Sequence, residues 1–330
     1  MLWSYRNPQN QRTFEEIARN LNLAVSKGDL FSGARRTLYH AGIDLYDGSR
    51  RLTGMEREDE QPHFYSYTSN GKEARAVRMI SPHDALYFLH HGIIDAAIGV
   101  GFDIIGEKTI LNNNHVKLPD GKNVEEMRDY ILSVKYCPKF GESDYQVQLL
   151  SDTGKPECEE NCTQIVPLVH LGYKKSGYYF VTYPNGFGSM KDFIEEYKDG
   201  MRSATEKKYI HLFRHFLDRV GLRADPLHKV ERSVEGLLVS PYRGSNGNGR
   251  AVDSIGCIVE KGSKIGEYNL RALELIQAST PWAIARKEVV ENPEKTQYLE
   301  DLRRILEEGA NIYEEKESQA FKAKHEFVLR

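Results

Sequence analysis

Four cysteines in 330 residues are too few for a disulfide framework to carry stability, so reduced thiols are the expectation. No stretch reaches the roughly 20 uninterrupted apolar residues needed to cross a bilayer. The N-terminal MLWSYRNPQNQRTFEEI also lacks an apolar run of signal length behind a basic start. No membrane partner and a cytoplasmic location are therefore expected. A surplus of positive charge is missing as well: 45 Lys and Arg stand against 48 Asp and Glu, a net charge of -3. That balance argues against a nucleic-acid coat, so any anionic ligand must be met by local basic sites. Internal repeats and low-complexity blocks are not found.

What remains is ample core material. Hydrophobic residues make up 40% of the chain, with 19 Tyr and 13 Phe, which excludes global disorder. The length favours two domains, or one with large insertions. LNLAVS (21–26) reads as a buried strand, followed by the loop KGDLFSG and by ARRTLYHAG, a helix closed by Gly42. HFYSYT and EARAVRMI read as a hairpin-like pair around SNGKE. PHDALYFLHHG (82–92) reads as a helix ended by Gly92, and IIDAAIGVG as another buried strand. Strands alternating with helices at this spacing predict an α/β sheet with ligands at the carboxyl ends of strands.

From about 106 to 165 the sequence turns polar and reads as loops or insertions, interrupted by the strand-like YQVQLLS. A second α/β pattern follows. YYFVTYPN gives a strand and turn, 188–220 a long charged helical stretch, and HKVERSVEGLLVS and AVDSIGCIVE two strand candidates. RGSNGNG (243–249) is a flexible loop, either a lid or an ordinary solvated connection. The tail from 291 is a charged amphipathic helix.

The segment IVEKGSKIGEYNLRALELI (258–276) is the most informative for chemistry. An apolar strand ends, a small-residue loop follows, and an amphipathic helix begins, an arrangement that aims backbone N–H groups and a helix dipole at one point and suits a phosphate. Gly262 permits close approach, Ser263 offers a hydroxyl, and Lys261 and Lys264 add charge. Such loops also open helices in proteins that bind nothing there. KGDLF places Lys27 at a strand's carboxyl end, as a ligand contact or a solvated turn lysine. Arg50 and Arg51 could clamp a phosphate or carboxylate, although surface arginines are more often solvated charge. Cys158 and Cys162 of CEENC could hold a metal with Cys137, at a spacing unlike a regular zinc pattern.

Taken in order, LNLAVSKGDLF, SRRL, DALYFLHHGIIDAAIGVGFDII, VTYPN, RSVEG, and AVDSIGCIVEKGSKIGEYNLRALELI followed by STPWAIARKE resemble the catalytic subunit of ATP phosphoribosyltransferase, the first enzyme of histidine biosynthesis. The resemblance runs from about residue 21 to 320. It implies two lobes of periplasmic-binding-protein type (type II), an active site between them, and a chain divided into 1–140 plus 276–330 and 141–275. It further implies transfer of phosphoribosyl from phosphoribosyl pyrophosphate to a ring nitrogen of ATP, or of a related acceptor, with Mg²⁺ and release of pyrophosphate. The loop Glu260, Lys261, Gly262, Ser263, Lys264 would hold the donor's 5-phosphate. Asp253 and Glu235 match acidic positions near the ribose, and Lys27, Gly28, Asp29, Arg51 and Asp103 match acceptor or cleft positions. Asp84 and Asp95 flank a helix and read as caps for it.

Departures from the pattern are as informative. The family usually has Arg where Asp29 stands, an acid where Cys257 stands, a small residue where Arg232 stands, and Ser or Thr at 260, 261 and 264. Glu260 repels phosphate unless Lys261 and Lys264 compensate. A divergent paralogue with another acceptor, or a non-catalytic binder of a small anion or nucleotide, is the alternative. No C-terminal regulatory domain is expected. A homo-oligomer is expected, with a separate regulatory subunit as a further partner.

Overall fold

A computed structural model describes residues 13–43, 64–65, 68–69, 72–73, 77–110, 116–138, 162–173, 176–183, 186–231, 233–239, 251–259 and 264–328. In chain order its strands are β1 (Leu23–Ser26), β2 (Phe64–Tyr65), β3 (Thr68–Ser69), β4 (Lys72–Glu73), β5 (Val77–Ile80), β6 (Ala96–Gly101) and β7 (Lys135–Tyr136). Then come β8 (Thr163–His170), β9 (Ser176–Thr182), β10 (Met201–Glu206), β11 (Ala224–Val230), β12 (Ser254–Val259), β13 (Arg271–Ser279) and β14 (Pro281–Arg286).

The chain has the type II periplasmic-binding-protein-like α/β fold, in two compact units. Unit 1 comprises Met1–Gly101, Arg128–Lys174 and Thr280–Arg330, and unit 2 comprises Phe102–Met127 and Lys175–Ser279. The unit 1 sheet runs β2-β5-β1-β6-β14-β8-β7, and that of unit 2 runs β11-β10-β12-β9-β13. Both follow one rule: the first parallel strand lies between the second and third, and a strand of opposite direction flanks the third. The strand order thus reverses beside β1 and beside β10, which makes their carboxyl ends the places where such sheets take ligands.

Apolar runs explain the central strands. Every residue of β1 and β6 is buried, as expected of parallel strands covered on both faces. In unit 1 the helix Pro293–Val328 crosses the helix Asp29–His40 so closely that a Cβ at Gly309 would collide with the carbonyl of Thr37. Asp95, fully buried just before β6, accepts the Asn22 N–H at 2.9 Å and a bond from Lys295 Nζ at 2.8 Å, with Arg286 Nη2 at 3.5 Å. It is the hub that ties the start of the long helix to the sheet and does not cap a helix. Asp84 occupies an N-cap position but makes no side-chain capping bond.

Several expectations need correction. The division falls at 101/102, 127/128, 174/175 and 279/280, not at 140 and 275. The helix Phe102–Thr109 belongs to unit 2 because its acids are bonded there, while β8 belongs to unit 1 because it pairs with β14. The stretch read as loops contains the helix Val124–Ser133. The charged stretch 188–220 is broken by β10, whose small residues Ser203, Ala204 and Thr205 are fully buried. The helix expected from 264 lasts only Lys264–Glu267, and β13 takes over at Arg271 by pairing antiparallel with β9. Cys137 is disulfide-bonded, so the expectation of reduced thiols fails there, and with it the thiolate that a metal site would need. YQVQLLS and RGSNGNG lie outside the described residues.

Candidate functional site

In unit 2 a cation and a carboxylate meet beyond the carboxyl ends of parallel strands. Packing brings them there. Val234 and Leu238, on the connection after β11, and Ile265, after β12, share one buried cluster with Ile255 and Cys257 of β12. Burying these side chains fixes the loop after β11 beside the short helix after β12. As a result Lys264 Nζ donates to Ser233 Oγ at 3.0 Å, and Ser233 Oγ donates to Glu235 Oε2 at 3.0 Å.

Ser233 sits at φ 49°, in the left-handed region that an L-residue adopts only when its surroundings compel it. Its hydroxyl has one proton to give and lone pairs to receive, so it relays between the ammonium and the carboxylate. Lys264 and Ser233 are exposed and Glu235 half-buried, so the group faces water. Beneath it, burial pushes the Cys257 thiol up, and the Glu235 and Glu206 carboxylates push it further. Cys257 is therefore a neutral thiol and cannot replace the acid of the resembling family.

Asp253 stands elsewhere. It precedes β12, about 20 Å of extended strand away from Val259 at about 3.3 Å per residue. There its carboxylate accepts from Arg202 Nη2 at 2.9 Å, Arg202 Nε at 3.2 Å and the Arg202 backbone N–H at 2.9 Å. The Asp253 N–H returns a bond to the Arg202 carbonyl at 2.8 Å. These bonds clamp the beginnings of β10 and β12 together. The structure brings Glu235 and Lys264 into one group and leaves Asp253 out of it.

In unit 1, Lys27 follows β1, is exposed, and donates its N–H to the Ile80 carbonyl at 2.8 Å. Gly28 takes φ 74° at the N-cap of the 12-residue helix Asp29–His40, a position with no side-chain cap. Glycine suits that conformation, and Asp29 supplies the first helical residue. Asp103 lies in unit 2 and is buried: Tyr209 Oη donates to it at 2.9 Å and Ser279 Oγ at 2.7 Å. Burial raises its pKa, and the two hydroxyl bonds act against that. Arg51, Arg232, Glu260, Lys261, Gly262 and Ser263 lie outside the described residues.

Two features escaped the sequence reading. Glu107, buried one helical turn from Asp103, accepts the His211 N–H at 3.1 Å and the Leu212 N–H at 2.7 Å, which caps the helix Ile210–Val220. Burial pushes its pKa up to about 8, and burial pushes that of His211 down to about 4. Ser233 was the other. Its only local signal is a place between Arg232 and Glu235 in RSVEG, three residues before Gly236.

No family model matches the chain. Over 160 residues it is 28% identical to a protein named ATP phosphoribosyltransferase from Solibacter usitatus, which covers 48% of this chain and 51% of that relative. The chain thus spans about half the length of the curated relative it matches. Among solved structures, an ATP phosphoribosyl transferase (HisG:HisZ) complex from Thermotoga maritima aligns with a TM-score of 0.48 at 15% identity, over 86% of this chain and 97% of that one. A TRAP periplasmic solute binding protein from a Sulfitobacter species, with bound β-D-galacturonate, aligns with a TM-score of 0.39 at 13% identity, over 91% and 85%.

Proposed function

We propose that this chain is a phosphoribosyltransferase of the ATP phosphoribosyltransferase kind. It joins a ring nitrogen of ATP or a related acceptor to C1 of phosphoribosyl pyrophosphate and releases pyrophosphate. The observation that carries the reading is the Lys264–Ser233–Glu235 group, which joins the loop after β11 to the short helix after β12. Lys264 supplies positive charge to the donor's 5-phosphate. Glu235 is the acid placed to steady the positive charge that develops on the ribose as pyrophosphate departs. Such a reaction needs positioning and charge more than a nucleophile.

The helix Lys264–Glu267 is a single turn, so its dipole adds little and the phosphate contact rests on the lysine and the loop. Among the described residues no group of three or more His, Cys, Asp or Glu is placed to hold a cation. In this reading Mg²⁺ arrives on the donor's pyrophosphate, and Glu235 is the carboxylate that would meet it. When bound, Mg²⁺ neutralises charge on the leaving group. The reading includes action as a homo-oligomer in the cytoplasm, with a separate regulatory subunit as a further partner.

A second reading, a binder of a small anion or nucleotide without turnover, is favoured by the neutral Cys257 thiol and by the engagement of Asp253 with Arg202. Pyrophosphate release separates the two. The transferase releases it only when phosphoribosyl pyrophosphate, Mg²⁺ and ATP are all present. Thermal stabilisation by the donor, with no release for ATP or other purine nucleotides, would instead support the binder.

A further inference from the structure

A bulge in the unit 2 sheet turns one glutamine into the interior. β13 pairs antiparallel with β9 through Leu275↔Tyr179, Gln277↔Tyr178 and Ser279↔Ser176, so between Leu275 and Gln277 it takes two steps where β9 takes one. Adjacent residues of a strand point to opposite faces, so the shift moves Gln277 from the face of Leu275 and Tyr179 to that of Tyr178. Ser176 and Ser279 share that face. An unshifted strand would instead have aimed Gln277 to the side of the buried cluster that includes Cys257, against which Tyr179 packs.

So placed, the amide is buried without a bond. Gln277 is 0% exposed and Ser176 8%. Neither Gln277 Oε1, Gln277 Nε2 nor Ser176 Oγ has a hydrogen-bond partner among the described residues. Polar neighbours on that face are already engaged: Ser279 Oγ and Tyr209 Oη donate to Asp103, and the Tyr178 hydroxyl is bonded to that of Thr205. Beside the amide runs Gly121, at φ 81°, where a Cβ would come within 3.0 Å of Nε2. Glycine thus keeps a side chain out of the space next to that nitrogen.

We propose that unit 2 holds an internal hydration site, in which ordered water bonds the Gln277 amide and the Ser176 hydroxyl. The chemistry of the group selects water. An amide offers two donors and an acceptor, a hydroxyl both donates and accepts, and a molecule that does both meets all of them. Neither side chain carries a charge to hold an ion, and their burial admits no larger occupant. Buried waters make about three bonds to polar groups that the protein leaves unmet. Gln277 and Ser176 are diagonal neighbours across the β13–β9 ladder, with Cα atoms roughly 7–8 Å apart, a span that a glutamine side chain and one water close. Ser176 stands opposite Ser279, so the site borders the buried Asp103 network. The bulge and the buried amide, each costly alone, are parts of one site.

A high-resolution crystal structure of the full chain, together with urea unfolding of Gln277→Met, Ser176→Ala and the double variant, tests this. The density should hold solvent about 2.7–3.2 Å from the Gln277 amide and from Ser176 Oγ. Gln277→Met keeps the volume and removes the polar atoms, which leaves the water short of partners, so its unfolding midpoint should fall below that of the parent. The double variant should lose clearly less than the sum of the single losses, because each single change disrupts the same water. An amide without any bond would behave in the opposite way, since methionine relieves an unmet polar group and raises the midpoint. An unchanged or raised midpoint for Gln277→Met, strictly additive losses, or density in which the amide meets no solvent would overturn the proposal.

Discussion

Arg202 grips both carboxylate oxygens of Asp253, with Nη2 2.9 Å from Oδ1 and Nε 3.2 Å from Oδ2, at the end of unit 2 opposite the Lys264–Ser233–Glu235 group. An acid that the family resemblance assigns to the neighbourhood of the ribose is thereby employed in joining β10 to β12. Its side chain is 14% exposed and that of Arg202 31%, so the pair is only partly desolvated. Charge-assisted bonds of this kind add modestly to stability, and breaking one side leaves the other partner short of bonds.

Asp253→Ala should therefore lower unfolding free energy by about 1–3 kcal/mol, measured by urea denaturation. Arg202→Ala should cost a similar amount, and the double variant should cost clearly less than the sum. Additive losses would show that the two side chains do not act as a unit.

Asp95 should be the most sensitive single position in unit 1. Asp95→Asn removes the charge that Lys295 and Arg286 face at 2.8 and 3.5 Å. Both cations keep some contact with water, being 29% and 25% exposed. The expected loss is thus near the lower end for a broken buried pair, about 3 kcal/mol. A change within about 0.5 kcal/mol, the usual range for a surface substitution, would remove Asp95 from the role of hub.

Glu107 should give stability a pH dependence of unusual sign. Its carboxyl is raised from 4.5 to about 8 in the folded chain. Between those values the folded state holds a proton that the unfolded state has released, so stability falls as pH rises through this window. His211 acts in reverse: its folded value is lowered from 6.5 to about 4, so its contribution is full above 6.5 and is lost as pH falls through 4. Melting temperatures from pH 6.5 to 8.5 isolate the Glu107 effect. Glu107→Gln should flatten that slope, whatever it costs by leaving one of two helix N–H groups without an acceptor. An unchanged slope in the variant would assign it to other groups.

The parts of the fold written in apolar runs were legible in the sequence. LAVS and AAIGVG announce themselves as buried strands because both faces of each are covered. β10 did not, since Ser203 and Thr205 are buried by β11 and β12 on either side and their composition resembles a solvated stretch. β13 was hidden for a related reason: RALELIQAS has the composition of a helix, and its strand state comes from pairing with β9. At the candidate site, Glu235 and Lys264 could be named from RSVEG and EKGSK, but Ser233 could not, because the bond to Lys264 joins residues 31 positions apart. The buried state of Asp103 and Glu107 was equally invisible, since it depends on Tyr209, Ser279 and the helix at 210.

Calorimetric titration of phosphoribosyl pyrophosphate with Mg²⁺ into the parent protein, Lys264→Ala and Asp253→Asn tests the placement of the donor site most directly. The account predicts binding by the parent, a dissociation constant at least tenfold weaker for Lys264→Ala, a loss of about 1.4 kcal/mol or more, and near-parent affinity for folded Asp253→Asn. Equal affinity of Lys264→Ala and the parent, or a loss confined to Asp253→Asn, would contradict it.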